Sequence, residues 1–281
     1  MIFTADDFGL TEAVNEAVER AHRRGMLTTT SLMVTAPASK DAVRRAKANP
    51  ELNVGLHLVL ADGRPALPPE TIPDLVDANG QFGTAMARAG VRFFFLPRVR
   101  RQLAAEIRAQ YETFKRTGLR LDHVNAHKHF HLHPTVLSLA IAIGREYGVT
   151  AIRYPHEPLL ASLKISRRGL LGKISGALFL SPWLRLVKAR LRNASLAYND
   201  YLFGLSATGS MDEEIVLRTL AALPPGDSEL YFHPGTCSGV EIAATMQGYQ
   251  HQRELEALLS PRVAAALIDE GVIRIGFRDI G

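Results

Sequence analysis

Short β-prone runs alternate with longer amphipathic runs from the first residue onward, and that rhythm leaves few folds open. Met1 to Thr4 precedes Thr11 to Arg24, Thr29 to Val34 precedes Ser39 to Ala48, and Val54 to Leu60 follows. Regularity resumes with a helix near Gln102 to Arg116, a strand near Leu121 to Asn125, a helix from Pro134 to Tyr147 and a strand at Thr150 to Tyr154. Then come a helix at Asp212 to Leu223, a strand at Ser228 to His233, helices at Tyr249 to Leu259 and Pro261 to Glu270, and a strand at Val272 to Gly276. Strand followed by helix requires a parallel sheet covered by helices. The expected class is α/β: a distorted (β/α) barrel of about seven strands, with an open doubly wound sheet as the alternative closure. A length of 281 residues suits a single domain over 1–281. Thr11 is the expected N-cap of the first helix and Gly25 its C-terminal stop, with Val14, Ala17, Val18 and Ala21 on one face.

Two segments interrupt the rhythm. Ala61 to Pro97 is rich in Pro and Gly and reads as a long excursion of the kind that serves function. Its Phe93-Phe94-Phe95 run reads as a core cluster, with a lipid-facing groove as the alternative. The second segment is a basic, hydrophobic insertion at about 159–199. It holds Lys164, Arg167, Arg168, Lys173, Arg185, Lys188, Arg190 and Arg192 and no Asp or Glu, so the formal charge of +5 belongs to this stretch. With Leu170, Leu171, Ile174, Leu178, Phe179, Trp183 and Leu186 interleaved, it suits an anionic lipid interface, or a helical excursion with a solvated basic face. No nucleic-acid module accompanies the charge. Cys237 is the single cysteine, so no internal disulfide forms and a reducing cytoplasm is expected. The start has no room for a secretory signal, and no run approaches the roughly 18 apolar residues of a membrane span. Membrane contact is therefore expected to be peripheral, at the inner face.

The chemistry-bearing residues fall at strand ends. Asp6-Asp7 follows the first β run, where parallel α/β folds build sites, and adjacent carboxylates are best tolerated beside a cation. His57 lies in an otherwise apolar run, Val54 to Leu60. His123, His127, His129, His131 and His133 all take odd numbers, which in an extended chain places them on one face. An acid and two histidines from separate strands make a facial set with open positions, the layout of a catalytic rather than a structural metal site. Such a set serves amide hydrolysis, phosphoester hydrolysis, or a lipid-binding protein whose metal site is vestigial. Glu106 and Glu112 read as a charged helix face, Cys237 as a bystander, and Gly239 as part of no phosphate loop.

The blocks Thr4-Ala5-Asp6-Asp7-Phe8-Gly9-Leu10, Thr28-Thr29-Thr30-Ser31-Leu32-Met33, Gly55-Leu56-His57-Leu58 and His123-Val124-Asn125-Ala126-His127-Lys128-His129-Phe130-His131 resemble, in order and spacing, those of the YdjC-like carbohydrate deacetylases. The resemblance extends to Phe232-His233-Pro234 and Arg278-Asp279. It implies a distorted βα barrel and hydrolysis of an N-acetyl group on an amino sugar. By position, Asp7, His57 and His127 would hold one divalent metal, Asp6 would act as base, His233 as acid for the departing amine, and Arg153 would orient Asp6 or the substrate. Two imidazoles and a carboxylate favour Zn2+, and the resemblance permits Mg2+. The family usually has Asp-Ser where this chain has Asn125-Ala126, so an anionic partner for a ligand histidine is missing. The run from His123 to Pro134 is similar to the hopanoid-associated branch, which implies an N-acetylglucosaminyl lipid as substrate and partner.

Overall fold

The computed structural model describes residues 1–165, 170–237, 242 and 244–280, with side chains given outside 170–178 and 244. Arg167, Arg168 and Gly239 therefore lie outside the described residues, as do the side chains of Leu170, Leu171, Lys173, Ile174 and Leu178.

The chain runs β1 (Ile2–Phe8), α1 (Glu12–Arg24), β2 (Thr29–Leu32), α2 (Ser39–Ala48), β3 (Asn53–Leu58), α3 (Met86–Phe95), α4 (Pro97–Arg116), β4 (Leu121–Ala126) and α5 (Pro134–Gly144). It continues through α6 (Leu159–Ile165), α7 (Leu170–Asn193), β5 (Tyr201–Phe203), α8 (Glu213–Leu220) and β6 (Ser228–Phe232), then helices His251–Leu259 and Pro261–Asp269. All strand pairs are parallel and the sheet order is β4-β3-β2-β1-β6-β5, a curled half-barrel covered by helices. The expected strand at Thr150 to Tyr154 survives as single bridges, Val124 to Ile152 and Ala151 to Ala197, which extend the β4 edge.

Two expectations need correction. Val272 to Gly276 is not a strand: it lies beside the amino terminus, with the Met1 amino group donating to Ile273 O and Ile275 N donating to Met1 O. Its strand-like composition is used for this edge contact instead. Tyr201–Phe203 was unforeseen, because three residues are too few to show a period.

Local signals explain the rest. Thr11 caps α1, its hydroxyl accepting from Val14 N, while Val14, Ala17, Val18 and Ala21 face the core. Pro134 occupies the first turn of α5, where a missing N–H costs nothing. The strands are buried on both faces, which is why they read as near-continuous apolar runs. Polar residues inside them therefore had to find partners. Gly55 allows one such partnership, since a Cβ there would lie 2.3 Å from the His123 ring.

Glu106 departs from its expected place on a charged face of α4. It is fully buried and accepts from Ala66 N (2.7 Å), Leu67 N (3.0 Å) and Gln110 Nε2 (2.8 Å). Gln110, one turn on, brackets Val59 by accepting from its N–H and donating to its C=O. α4 thus anchors both the end of β3 and the start of the excursion that follows it. Of the phenylalanine run, Phe93 is core as expected, whereas Phe94 and Phe95 are exposed.

Candidate metal centre

Three strands deliver the central side chains to one point. Asp7 comes from β1, where the register against β2 shifts between Ala5 and Phe8 and Asp7 itself takes a left-handed φ of 64°. This irregularity lets Asp6 and Asp7, which would alternate across a regular strand, both reach the site. His57 stands near the end of β3, and His127 is the first residue past β4. One donor atom from each of Asp7, His57 and His127 lies within 4.8 Å of the others. Nε2 of His57 is 3.3 Å, and Nδ1 of His127 3.1 Å, from Asp7 Oδ1. All three residues are buried.

Asp6 is held from two sides. Arg153, fully buried, donates from Nη1 to Asp6 Oδ2 (2.6 Å) and from Nη2 to Oδ1 (3.0 Å), while its Nε and Nη2 engage Glu229. Asn125 donates from Nδ2 to Asp6 Oδ1 (3.2 Å) and to Ser31 Oγ (2.9 Å). Its Oδ1 accepts from Nδ1 of His57 at 2.6 Å. Asn125 is thus a neutral orienting partner. It fixes the His57 tautomer, because a proton on Nδ1 leaves the Nε2 lone pair facing Asp7. Beneath it a chain of hydrogen bonds continues from Ser31 to His123 Nε2 (3.1 Å) and from His123 Nδ1 to Asp122 (3.1 Å).

The charge balance asks for a cation. Buried Asp6, Asp7 and Glu229 face a single buried guanidinium, and Asp7 Oδ2 has no hydrogen-bond partner. Burial opposes ionisation of Asp6, yet Arg153 and then His57 hold its carboxyl well below the usual range. Burial likewise opposes ionisation of Asp7, and His127 holds it down. Burial works against a charged His127, but Asp7 and Asp62 raise it to about 9. A proton on His127 and a metal ion would each offset the same carboxylate charge. The residues present fit a divalent ion: one carboxylate and two imidazole donors, a buried negative excess and an orphaned carboxylate oxygen.

His233 approaches from the end of β6, with Nε2 4.0 Å from Asp7 Oδ2. Burial lowers its pKa, against the pull of Asp7 and Asp6. Its backbone is pinned by Glu254, which accepts from His233 N, and by His251 Nδ1, which donates to His233 O. The six residues expected at the site, Asp6, Asp7, His57, His127, Arg153 and His233, are therefore brought together.

The five odd-numbered histidines do not share a face. β4 ends at Ala126 and His127–Leu132 forms a 3-10 turn in which Lys128 (φ 54°) and His129 (φ 53°) are left-handed. His123 points down to Ser31, while the rings of His129 and His131 meet in a T-shaped contact at 5.9 Å. His133 caps α5 through Thr135 N. Burial keeps His129 and His131 neutral, pushing His131 down to about 3. Glu229, Asp62 and Glu254 were missed. Asp62 lies 3.9 Å from His127 Nε2 and pairs with Lys128 at 2.6 Å. Glu229 had a readable signal, a lone acid within the apolar run Ser228–Phe232. Asp62, in a polar excursion, had none.

Comparison with known proteins places the chain among named relatives. Curated relatives include carbohydrate deacetylases of Brevibacillus brevis (38% identical over 155 residues, 55% of this chain and 59% of the relative) and Oceanobacillus iheyensis (38% over 150 residues, 53% and 62%). A carbohydrate deacetylase of Vibrio cholerae is 39% identical over 149 residues, 53% of this chain and 56% of the relative. The chain thus spans less than two thirds of the length of these relatives. A crystal structure from Enterococcus faecalis V583, of a protein provisionally named for cellobiose-phosphate cleavage, superposes with a TM-score of 0.74 at 26% identity, covering 99% of this chain and 97% of the other. The family profile described as YdjC-like protein matches residues 1–269, and the chain belongs to that family.

Proposed function

We propose that the protein is a metal-dependent carbohydrate deacetylase that hydrolyses the N-acetyl group of an amino sugar. The observation that carries this reading is the buried Asp7, His57 and His127 donor set beside Asp6, whose carboxylate Arg153 grips with two nitrogens. Its support from relatives is the name carbohydrate deacetylase borne by those matched above.

In this reading Asp7, His57 and His127 hold one divalent ion, with Zn2+ preferred for two imidazoles and a carboxylate. The chemistry supplied there by a bound ion is Lewis acidity toward the acyl oxygen and a lowered pKa for a water. Asp6 takes the proton of the water that attacks the acetamide carbonyl carbon, and Arg153 and Asn125 fix the direction from which its carboxylate does so. His233, whose Nε2 lies 4.0 Å from Asp7 Oδ2, hands a proton to the departing amine. The substrate we propose is an N-acetylglucosaminyl hopanoid lipid. The His123 to Pro134 run supports it, as do the exposed Phe179 and Leu186 among the cations of the 159–199 segment. Among the described residues no helix is long and apolar enough to cross a membrane, so contact with an anionic bilayer would be peripheral.

Mass spectrometry of such a lipid before and after incubation with metal-loaded protein should show the loss of one acetyl. Asp6→Asn should abolish that loss while metal content persists, whereas Asp7→Ala, His57→Ala and His127→Ala should each lose the metal. Full metal occupancy in all three alanine variants would end the assignment.

A further inference from the structure

The corner where α3 meets α4 exposes what a soluble surface normally hides. Phe94 is 46% exposed, Phe95 69%, Leu96 44% and, one turn earlier, Val91 60%. Three consecutive exposed apolar residues are rare unless they meet something. The surrounding stretch, residues 78–105, carries Arg88, Arg92, Arg98, Arg100 and Arg101 and no Asp or Glu. Arg92 and Arg98 are tied to Asp74, at 3.5 and 2.8 Å.

The corner is joined to the candidate metal centre through the turn that begins at His127. The excursion leaves β3 just past His57, and α3 returns onto the turn that begins at His127. There the Phe93 ring lies 5.3 Å from Phe130 and 5.9 Å from His133. A shallow, open depression bordered by Val91, Phe94, Phe95, Phe130, His133 and Pro134 lies over this contact. Across the turn, α7 donates from Trp183 Nε1 to Leu132 O at 2.8 Å. Phe179 and Leu186 share the helical face of Trp183 by spacing and are 84% and 57% exposed. Two apolar strips, each set among cations, thus flank one turn of the site.

We propose that the α3/α4 corner is a docking element that inserts Phe94, Phe95 and Leu96 into the interface of an anionic bilayer and so turns the mouth of the site toward the lipid. Charge selects this occupant over a second copy of the chain, because self-pairing would set Arg88, Arg100 and Arg101, the three that Asp74 does not hold, against their own copies. Anionic headgroups complement them, and aromatic rings with arginine stems suit the headgroup boundary. The purpose of the docking rests on the lipid-linked substrate proposed above, but the binding itself does not.

Sedimentation of the full chain with vesicles of phosphatidylcholine, alone or mixed with phosphatidylglycerol, tests this without any substrate. The protein should pellet with the mixed vesicles, less so as salt rises, and remain in solution with phosphatidylcholine alone. The variant F94S/F95S alters exposed side chains and should keep the wild-type circular dichroism and metal content. Its partition onto the mixed vesicles should fall roughly tenfold to a hundredfold, from the apolar area withdrawn. Equal pelleting of variant and wild type overturns the proposal. So does a concentration-dependent dimer that F94S/F95S dissolves, which would make a second copy the occupant. Failure to release acetate, with vesicle binding intact, would count against the deacetylase reading alone.

Discussion

Changing Asn125 to Asp places a carboxylate where an amide now donates to Asp6 Oδ1 at 3.2 Å. Two unit charges at that separation repel by about 5 kcal/mol at an effective dielectric of 20. Arg153, which grips the same Asp6 carboxylate with two nitrogens, offsets much of this. If only about a quarter remains, the residual of roughly 1.3 kcal/mol still equals about one pH unit in the titration of the pair. Protonation of the pair at positions 6 and 125 should therefore begin at higher pH than protonation of Asp6 alone. The acid limb of its pH profile for acetate release should rise by about one pH unit or more. Metal content should be retained, since the new carboxylate still accepts from His57 Nδ1. Asn125→Leu should instead lose metal affinity by roughly 10–100-fold, because the His57 tautomer is no longer specified. Coincident acid limbs for Asn125→Asp and wild type, both fully metal-loaded, would refute the reasoning.

Two further outcomes follow from buried charge. Arg153→Met leaves Asp6 and Glu229 buried together without their shared cation, and should cost about 3–5 kcal/mol in urea unfolding; a loss below about 1 kcal/mol would show that the clamp does not stabilise the barrel. Burial raises the Glu254 carboxyl to about 7, despite the N–H groups of His233 and Met211 that favour its charge. Its stabilising contribution is thus full below the unfolded value of 4.5 and is lost as pH rises through about 7. The wild-type Tm should accordingly decline between about pH 5 and about pH 8 more than that of Glu254→Gln, and parallel declines would contradict the assignment.

The sheet was legible because its strands are buried on both faces and so read as apolar runs. Asp6 and Asp7 were legible as adjacent acids after the first β run and His57 as a lone histidine in an apolar one, while their separate roles came from the family resemblance. The histidine periodicity misled because it presumed an extended chain beyond Ala126, where the backbone turns left-handed at Lys128 and His129. Glu106 misled because a helix full of charge hides the one acid that turns inward to hold the loop at Ala66 and Leu67. Asn125 read as a lost charge and proved to be a joint between the two halves of the site, which only the positions of its two amide atoms could reveal.

Among the described residues, Asp7, Asp62, Lys128 and His129 are four of the five non-glycine residues with positive φ. Each such conformation costs of order 1–3 kcal/mol and persists only while its surroundings enforce it. The centre is in effect a spring kept cocked by the barrel around it. Gentle heating should release it first, so that the protein loses its grip on metal at temperatures where the helices and sheet still stand.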